Sequence, residues 1–310
     1  MQTEPRRKRA APPLGQAPNT VSEWISGASR RLAAANLHFG HGATDAWSEA
    51  AWIVASACRL SPRKIESHFS RPISRTQIGL ANRVLDARIK GKIPLAYLLS
   101  EAWLGKYSFH VDRRVIVPRS FIAELIESGI GHLLPRKDSP LRALDLCTGS
   151  GCLAILLAKK FRGMHVDAVD ISSDALEVAR LNIKRHGLQS SVVPILSNVF
   201  DGISTAVHYD LIVANPPYVK ASSMKSLPAE YRHEPTLALA GGTNGLAIVS
   251  RILTQARRYL SPEGVLIVEV GHNRKVLERA FPRLPFLWLD TETSEGMLAL
   301  IDAKDLQPVG

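Results

Sequence analysis

The 310-residue sequence predicts an α/β fold, in which a doubly wound parallel sheet carries helices on both faces and ends in an antiparallel strand pair. A small helical domain and a β-hairpin are expected to precede this sheet. Three observations predict the arrangement: helical spacing of apolar residues in the front of the chain, repeated strand–loop–helix units after Pro140, and a glycine-rich turn at 145–152. The expected domains are a disordered basic tail at 1–18, a helical domain at 19–93, a β-hairpin linker at 94–118 and an α/β domain at 119–310.

Composition narrows the class of protein. With 45% hydrophobic and 22% charged residues, the chain resembles an ordinary globular protein that can bury a sizeable core. No apolar run reaches the roughly 18 residues of a spanning helix, so no membrane partner is expected. Three cysteines exclude a disulfide framework and lack zinc-ligand spacing, so no metal site is expected. The basic run Arg6–Arg9 is not followed by a continuous apolar segment, which argues for a cytoplasmic rather than a secreted protein.

Positive charge is concentrated in the front of the chain. Residues 1–114 hold 18 Lys and Arg against 8 Asp and Glu, a net charge of +10. Residues 115–310 hold 21 against 20, a net charge of +1. This asymmetry indicates two domains with different tasks. The basic run in the tail is interpreted as a solvated segment, with weak contact to phosphate backbone as the alternative.

Three helices are predicted in the front domain. The first begins at Thr20, which would form a capping box with Glu23. The second begins at Thr44–Asp45, and Ser74 would cap the third. Tryptophans at helical spacing in the first two helices are interpreted as core residues rather than as ligand contacts. Beyond Pro94, alternating apolar residues predict two short strands around a turn, and a helix capped by the serine at 120 follows.

After Pro140, the spacing of apolar residues predicts strands and helices in alternation. Strands are predicted at 142–147, 165–170, 192–196, 209–214 and 264–270, and helices at 151–161, 174–186 and 245–259. The last two strands, 286–290 and 297–301, are expected to pair antiparallel. Alternating units imply a parallel sheet, whose ligands bind beyond the carboxyl ends of the strands.

The first candidate site is the loop Asp145-Leu-Cys-Thr-Gly-Ser-Gly-Cys152 between a strand and a helix. Glycines let a ligand approach the backbone, and the helix N-terminus offers free N–H groups to a carboxylate or phosphate. By itself such a turn would equally serve strand–helix packing. Asp170 ends the next strand, where a carboxylate can accept both hydroxyl groups of a ribose. Together they predict a nucleoside cofactor, and the missing third glycine argues for one without a pyrophosphate.

The second candidate site is Asn215-Pro-Pro-Tyr218, directly after the strand predicted at 209–214. Consecutive prolines fix the backbone and leave carbonyl oxygens without competing N–H donors. The side-chain oxygen of Asn215 and the carbonyl of Pro216 would accept the two hydrogens of a planar –NH2 group, while the Tyr218 ring stacks on its plane. A rigid turn at a strand end is the structural alternative, but it does not explain the position opposite a nucleoside site.

These motifs resemble those of S-adenosylmethionine-dependent methyltransferases that act on exocyclic or amide nitrogens. The segments Phe109–Ser120, Asp145–Cys152 and Glu230–Leu239 are closer still to the protein-glutamine methyltransferases. Ser120-Phe-Ile-Ala-Glu124 replaces the acidic-threonine-glutamate stretch of the release-factor branch. This difference favours the branch that methylates a glutamine of the third large-subunit ribosomal protein.

The resemblance covers roughly residues 20–303 and implies a class I, Rossmann-like methyltransferase domain behind a helical substrate-recognition domain. It implies S-adenosyl-L-methionine as the cofactor. The cofactor-binding residues would be Asp145, Cys147, Thr148, Gly149, Ser150, Gly151, Asp170, Asn198, Val199 and Asn215. The loop would hold the methionine end, the aspartate at 170 the ribose, and residues 198–199 the adenine.

The resemblance also implies the amide site. Asn215, Pro216 and Tyr218 would be catalytic, and these three with Pro217 would bind the glutamine substrate. Asn198 stands where the family commonly has aspartate, although its side-chain oxygen can still accept a hydrogen bond from the adenine amine. Glu234 is a further candidate, with a salt bridge that anchors its loop as an equal alternative.

The predicted reaction is methyl transfer to the side-chain amide nitrogen of a glutamine in a large-subunit ribosomal protein. The alternatives are a release-factor glutamine methyltransferase, an adenine methyltransferase on nucleic acid, and a non-catalytic ribosome-assembly factor. The sequence has no separate base-reading module and no interleaving of aromatic and basic residues of the kind that binds single strands. Both points argue against nucleic acid as the substrate. The expected partner is a ribosomal protein that is modified within a ribosome assembly intermediate. Ribosomal RNA of that intermediate is expected to contact the basic front domain.

Overall fold

The computed structural model describes residues 18–134 and 141–306, and the chain divides into two compact units between Leu99 and Ser100. The predicted disordered tail at 1–18 lies outside the described residues apart from Pro18. Residues of the expected hairpin linker, 94–118, are divided between the two units. In the described part of the chain, no helix has the length and apolar character needed to cross a membrane.

The first unit consists of packed helices. They are α1 Val21–Ala33, α2 Ala46–Ala57, α3 Arg75–Gly91 and α4 Leu95–Leu99, with a 3-10 helix at Pro62–His68. The caps predicted for α2 and α3 are confirmed, because Asp45 and Ser74 accept hydrogen bonds from backbone N–H groups of the first turn. Thr20 caps α1 in the same way, but the Glu23 carboxylate accepts from the N–H of Asn19. The predicted capping box therefore does not close on Thr20.

The two tryptophans interpreted as core residues differ in their surroundings. Trp24 is buried, and its indole nitrogen donates to the side-chain oxygen of Asn82 at 3.0 Å. Trp47 is 42% exposed and meets Phe69 edge-on, so its assignment to the core is wrong. Trp52 is the buried tryptophan of α2. Because α2 is apolar over most of its surface, helical spacing does not identify which tryptophan faces inward.

The second unit contains all the strands. They are β1 Ala102–Leu104, β2 Tyr107–Phe109, β3 Arg142–Leu146, β4 His165–Asp170, β5 Val192–Leu196, β6 Tyr209–Ala214, β7 Leu260–Glu269, β8 Leu287–Leu289 and β9 Leu298–Asp302. The helices are α5 Phe121–Ser128, α6 Cys152–Lys160, α7 Ser173–Arg185, α8 Ala221–Met224, α9 Ala247–Gln255 and α10 Arg274–Ala280. Short 3-10 helices lie at Ile130–Leu133, Ala229–His233, Thr236–Ala238, Ala256–Arg258, Gly271–Asn273 and Ala303–Asp305.

The main sheet has the predicted doubly wound form. Its order is β5-β4-β3-β6-β7-β9-β8; the first five strands are parallel, and β9 and β8 pair antiparallel. The predicted hairpin is confirmed as a separate pair, β1 with β2. Strand β7 begins earlier than predicted, because Leu260 already pairs with Tyr209 before a shift in register.

Two hydrophobic cores cover the two faces of this sheet. One includes Ile122 and Ile126 of α5 with the apolar side of α6, and the other includes Ile252 and Leu253 of α9. Strand β6 is buried along its whole length, in keeping with its apolar residues at 211–214. The chain winds outward from β3 to β5 and then returns to β6 on the other side of β3. This reversal separates the loops after β3 and β6 and opens a crevice at the carboxyl ends of the strands.

Candidate active site

A cleft with an empty volume of about 890 Å³ lies where the sheet order reverses. Seven of the predicted site residues line it: Cys147, Gly149, Asp170, Asn198, Val199, Asn215 and Pro217. They follow the carboxyl ends of four parallel strands, β3 to β6.

The loop from Cys147 to Gly151 combines two uses of glycine. A Cβ atom added to Gly149, where φ is +54°, would meet nothing within 4 Å, so the backbone is open for a ligand there. A Cβ atom on Gly151, where φ is +79°, would lie 3.2 Å from the Cβ of Ala179 in α7. Cys147 also has a positive φ, +60°, a conformation that non-glycine residues seldom adopt. The loop therefore serves both interpretations of its sequence, access for a ligand and close packing of helices.

Asp145 supports this loop from beneath. Its side chain is fully buried, and Oδ2 accepts hydrogen bonds from the Thr148 hydroxyl at 2.6 Å and from the Ala154 N–H at 3.0 Å. Its Oδ1 atom meets no hydrogen-bond donor within the described residues. Burial raises the pKa of Asp145 to about 7. Thr148 and Ser150 are buried too, so the structure places these three side chains behind the backbone that faces the cleft.

Asp170 lies at the end of β4 and connects two loops. One carboxylate oxygen accepts from the Gly149 N–H and the other from the Ser172 N–H, each at 2.9 Å. Burial raises the pKa of Asp170 above its ordinary value. Since a carboxylate oxygen can accept more than one hydrogen bond, both oxygens retain capacity for the hydroxyl groups of a ligand.

The turn after β5 holds Asn198 and Val199 at the cleft. Val199 has a φ of +55°, which is unusual for a β-branched residue. Ser197 stabilises this turn, because its hydroxyl donates to the Val199 carbonyl at 3.0 Å and accepts from the Gly202 N–H at 2.8 Å. The exposed Asn198 side chain is thereby presented at the cleft by a buried neighbour.

A second, smaller cleft adjoins the first. Its empty volume is about 570 Å³, and Arg119, Asn215, Pro216 and Tyr218 are among its lining residues. Asn215 lines both clefts. The predicted nucleoside site and the predicted amide site are therefore adjacent, and Asn215 is the predicted site residue that they share.

Hydrogen bonds orient Asn215. Its Nδ2 atom donates to the backbone carbonyl of Arg119 at 3.2 Å. With the nitrogen committed to that bond, the side-chain oxygen is the atom available to accept hydrogen bonds from a ligand. This is the orientation that an acceptor of –NH2 hydrogens requires.

Tyr218 is held at its hydroxyl, its backbone and its ring. The hydroxyl donates to Oε1 of Glu269 at 3.2 Å, and the carbonyl accepts from Nδ2 of Asn273 at 2.8 Å. Gly271 packs against the ring, since a Cβ atom there would lie 2.8 Å from Cε2. Burial, with the nearby charge of Glu269, raises the pKa of Tyr218 above its ordinary value. The ring is therefore a neutral, fixed surface.

Arg119 and Glu234 form an ion pair beside the smaller cleft, in which the carboxylate is buried and the guanidinium is partly exposed. The two guanidinium nitrogens of Arg119 each donate to one oxygen of Glu234 at 2.6 Å, and the Val117 N–H also donates to this carboxylate at 2.9 Å. Burial alone would lower the pKa of Arg119, but the hydrogen bonds and charge of Glu234 outweigh it and raise the pKa. Of the two interpretations of Glu234, the structure has the salt bridge that anchors its loop.

Sequence reasoning missed two residues at this site, Arg119 and Glu269. Arg119 follows a proline in one of the segments that carried the resemblance, but no spacing rule pairs it with Glu234, 115 positions away. Glu269 had a usable signal. It is an acidic residue at the end of an apolar strand, which is the feature that identified Asp170.

Comparisons with known proteins also indicate a methyltransferase. The methyltransferase small domain family model matches residues 121–230. The chain is similar to three proteins named ribosomal protein uL3 glutamine methyltransferase. The protein from Bordetella pertussis is 47% identical over 290 residues, which cover 93% of this chain and 96% of that protein. The proteins from Neisseria meningitidis serogroup A and Bradyrhizobium diazoefficiens are 42% and 43% identical, covering 93% and 97% of this chain and 94% and 97% of theirs.

Solved structures show a more distant likeness. The ribosomal protein L11 methylase from Lactobacillus delbrueckii subsp. bulgaricus is 22% identical, with a TM-score of 0.39, and the match covers 57% of this chain and 75% of that chain.

Proposed function

Because the chain belongs to the family of ribosomal protein uL3 glutamine methyltransferases, and so transfers the methyl group of S-adenosylmethionine to a glutamine of a ribosomal protein, we propose that Asn215, Pro216 and Tyr218 hold the substrate amide. The observation that carries this proposal is the position of Asn215, which lines both clefts. The larger cleft takes the cofactor and the smaller takes the glutamine side chain. Pro217 continues the same rigid turn on the cofactor side.

The larger cleft fits S-adenosyl-L-methionine. The open backbone at Gly149 and the left-handed conformation of Cys147 suit the methionine end, and the carboxylate of Asp170 suits the ribose hydroxyls. Asn198 and Val199 flank the adenine. Asp145, Thr148, Ser150 and Gly151 act from behind by holding the loop in shape. When bound, the cofactor supplies an electrophilic methyl group carried on a sulfonium.

The residues of the smaller cleft must make an amide nitrogen nucleophilic. Its lone pair is shared with its own carbonyl, so it reacts poorly by itself. Hydrogen bonds from its N–H groups to the Asn215 oxygen and the Pro216 carbonyl return electron density to nitrogen and stabilise the positive charge that develops there. The Tyr218 ring packs on the amide plane and aligns the nitrogen for in-line displacement. No general base is needed, because the methylated nitrogen loses its proton readily to water or a carbonyl.

We extend the proposal to the substrate. The glutamine belongs to uL3, as in the named relatives, and it is modified in the cytoplasm while uL3 sits in a ribosome assembly intermediate. The charge distribution supports contact with ribosomal RNA by the first unit, because a basic front half does not attract a basic ribosomal protein. Within that unit the residues from 59 to 75, here called the basic segment, contain five exposed cationic side chains and one carboxylate, that of Glu66. The cations are Arg59, Arg63, Lys64, Arg71 and Arg75.

Two variants test the assignment of the clefts. Asn215→Ala should lower turnover of uL3 by about tenfold or more, because an acceptor used in the transition state is lost. Its affinity for S-adenosylmethionine should change less. Asp170→Ala should weaken cofactor binding, because the proposed ribose acceptor is lost. Radiolabel transfer to uL3 measures turnover, and calorimetry measures cofactor affinity. Turnover near that of the unmodified protein in Asn215→Ala would contradict the proposed amide site.

A further inference from the structure

We propose that Glu269 is the positioning residue of the amide site, and that its single buried carboxylate sets both the Tyr218 ring and the orientation of the Asn215 amide. This inference rests on the proposed function, since it concerns how the proposed amide site is held in shape. Glu269 has no part in the reaction as derived above.

Glu269 is placed for this role by the register of the sheet. It is the last residue of β7, and the preceding residue, Val268, pairs with Ala214 at the end of β6. Glu269 therefore lies beside Asn215 at the carboxyl edge of two neighbouring parallel strands. Its side chain is 1% exposed, so its contacts are made within the protein rather than with solvent.

The two carboxylate oxygens of Glu269 accept hydrogen bonds from different segments of the chain. Oε1 accepts from the Tyr218 hydroxyl at 3.2 Å. Oε2 accepts from the Ser120 hydroxyl at 2.7 Å and from the Phe121 N–H at 3.0 Å. The Ser120 oxygen in turn accepts from the Ile122 N–H at 3.2 Å, so it caps α5 while its hydrogen is directed to Glu269. One carboxylate thus joins the start of α5 to the ring of Tyr218.

The second effect reaches Asn215 through the backbone. The carbonyl that receives the Asn215 amide nitrogen belongs to Arg119, directly before Ser120. Since Glu269 holds Ser120 and Phe121, it determines where this carbonyl lies. The Arg119 side chain is anchored separately by Glu234. Of these two carboxylates, Glu269 is the one that also holds Tyr218, so it couples two groups that must act on the same amide.

The surroundings of the carboxylate support a role in the site rather than in the stability of the fold. Burial raises the pKa of Glu269 to about 7, although the hydrogen bonds from Ser120 and Tyr218 and the charge of Arg119 act against this. Because burial disfavours its charge, this carboxylate is mostly ionised only above neutral pH. Perturbed acids of this kind beside a cleft are typical of functional sites.

The test compares two substitutions with a control on the same strand. Glu269→Leu removes every acceptor, whereas Glu269→Gln retains one acceptor oxygen for Ser120 and Phe121 and turns an amide toward the Tyr218 oxygen. Glu263→Gln is the control, because Glu263 is an exposed glutamate of β7. For each protein, turnover of uL3 at saturating cofactor, cofactor affinity and the thermal midpoint at pH 8 are measured.

A positioning role predicts a graded loss of kcat. Glu269→Leu should lower kcat by about tenfold or more, because a misplacement of reacting groups by about 1 Å can cost about a hundredfold in rate. Glu269→Gln should lose less, and Glu263→Gln should behave like the unmodified protein. Cofactor affinity should stay within about twofold in all three, because the contact network of Glu269 lies at the amide site. A role only in folding would instead lower the thermal midpoint without this split between kcat and cofactor affinity.

A double-mutant cycle with Tyr218→Phe adds a second readout. Removing the hydroxyl breaks one of the contacts of Glu269, so Glu269→Leu should cause a smaller loss of kcat in the Tyr218→Phe background. Additive losses would overturn the proposed coupling. Unchanged kcat in folded Glu269→Leu, or in folded Glu269→Gln should the leucine variant not fold, would also overturn it. If the unmodified protein transfers no methyl group to glutamine, the proposed function fails instead, and the two failures are distinguished.

Discussion

The two compact units bury charge in different ways. In the first unit, Arg88 and Glu49 form an ion pair, with Nε and Oε2 3.0 Å apart and side chains only 1% and 2% exposed. In the second unit, Asp145 and Glu269 are equally buried but accept hydrogen bonds from hydroxyl and N–H groups. Burial raises the pKa of both to about 7. The two carboxylates of the second unit are therefore close to titration at neutral pH.

The difference follows the division of tasks within the chain. A buried ion pair joins α2 and α3 within the helical unit. Asp145 and Glu269 lie at the carboxyl ends of β3 and β7, where the parallel sheet presents its ligand sites. The ion pair of the first unit therefore connects two helices, whereas these two carboxylates of the second unit lie at the proposed site.

The largest effect on stability is expected from breaking the ion pair. Glu49→Ala removes the carboxylate that pairs with the buried Arg88 guanidinium and should lower the free energy of unfolding by about 3–5 kcal/mol. Asp86→Ala is the control, because it breaks the exposed pair with Arg31 and should change stability by about 0–1 kcal/mol. Denaturant titration measures both. Equally small losses of unfolding free energy in Glu49→Ala and Asp86→Ala would show that the buried ion pair contributes no more to stability than the exposed one.

A smaller effect of the opposite sign is expected at Asp145. Its folded pKa of about 7 lies above the ordinary value of 3.8, so the folded state binds the proton more tightly than the unfolded state. Stability contributed by this proton is present at low pH and is lost as pH rises toward 7. Asp145→Asn should remove that loss and raise the free energy of unfolding at pH 8 by roughly 1–4 kcal/mol.

Unfolding titrations at pH 5 and pH 8 check this expectation. The gain from Asp145→Asn should be larger at pH 8 than at pH 5, because the loss develops between the unfolded and the folded pKa. A variant that is less stable at pH 8 than the unmodified protein would show that the ionised carboxylate stabilises the loop, contrary to the comparison of the units.

The smallest effect is expected at the surface. Lys64→Gln with Arg71→Gln in the basic segment should weaken binding to fragments of large-subunit ribosomal RNA. The slope of log affinity against log salt should fall by about 1–2, because fewer counterions are released. Lys275→Gln with Arg279→Gln removes the same charge from α10 of the second unit and should leave the slope unchanged. Equal changes of slope in the two double variants would show that RNA affinity depends on net charge alone and not on the basic segment.

Local signals in the sequence predicted much of the fold. Polar caps marked the starts of α2, α3 and α5, and the strand–loop–helix rhythm predicted the parallel sheet with its antiparallel end. The glycine loop and the tetrapeptide after β6 were recognisable as contiguous strings. The misplaced start of β7 and the exposed Trp47 arose where pairing or packing partners lie far away in the chain. Periodicity within one segment carries no information about such partners.

By itself, the sequence determined which segments become helices and strands and which loops carry ligand-binding chemistry, because caps, periodicity and glycine turns act over a few residues. Only the tertiary structure decided that Asn215 lines two clefts, that Glu234 pairs with Arg119, and that Glu269 reaches both Tyr218 and Ser120. These contacts depend on strand order and register, which bring residues 51 to 149 positions apart to one edge of the sheet. Distances between side chains at that edge are a property of the packed sheet and not of any local pattern.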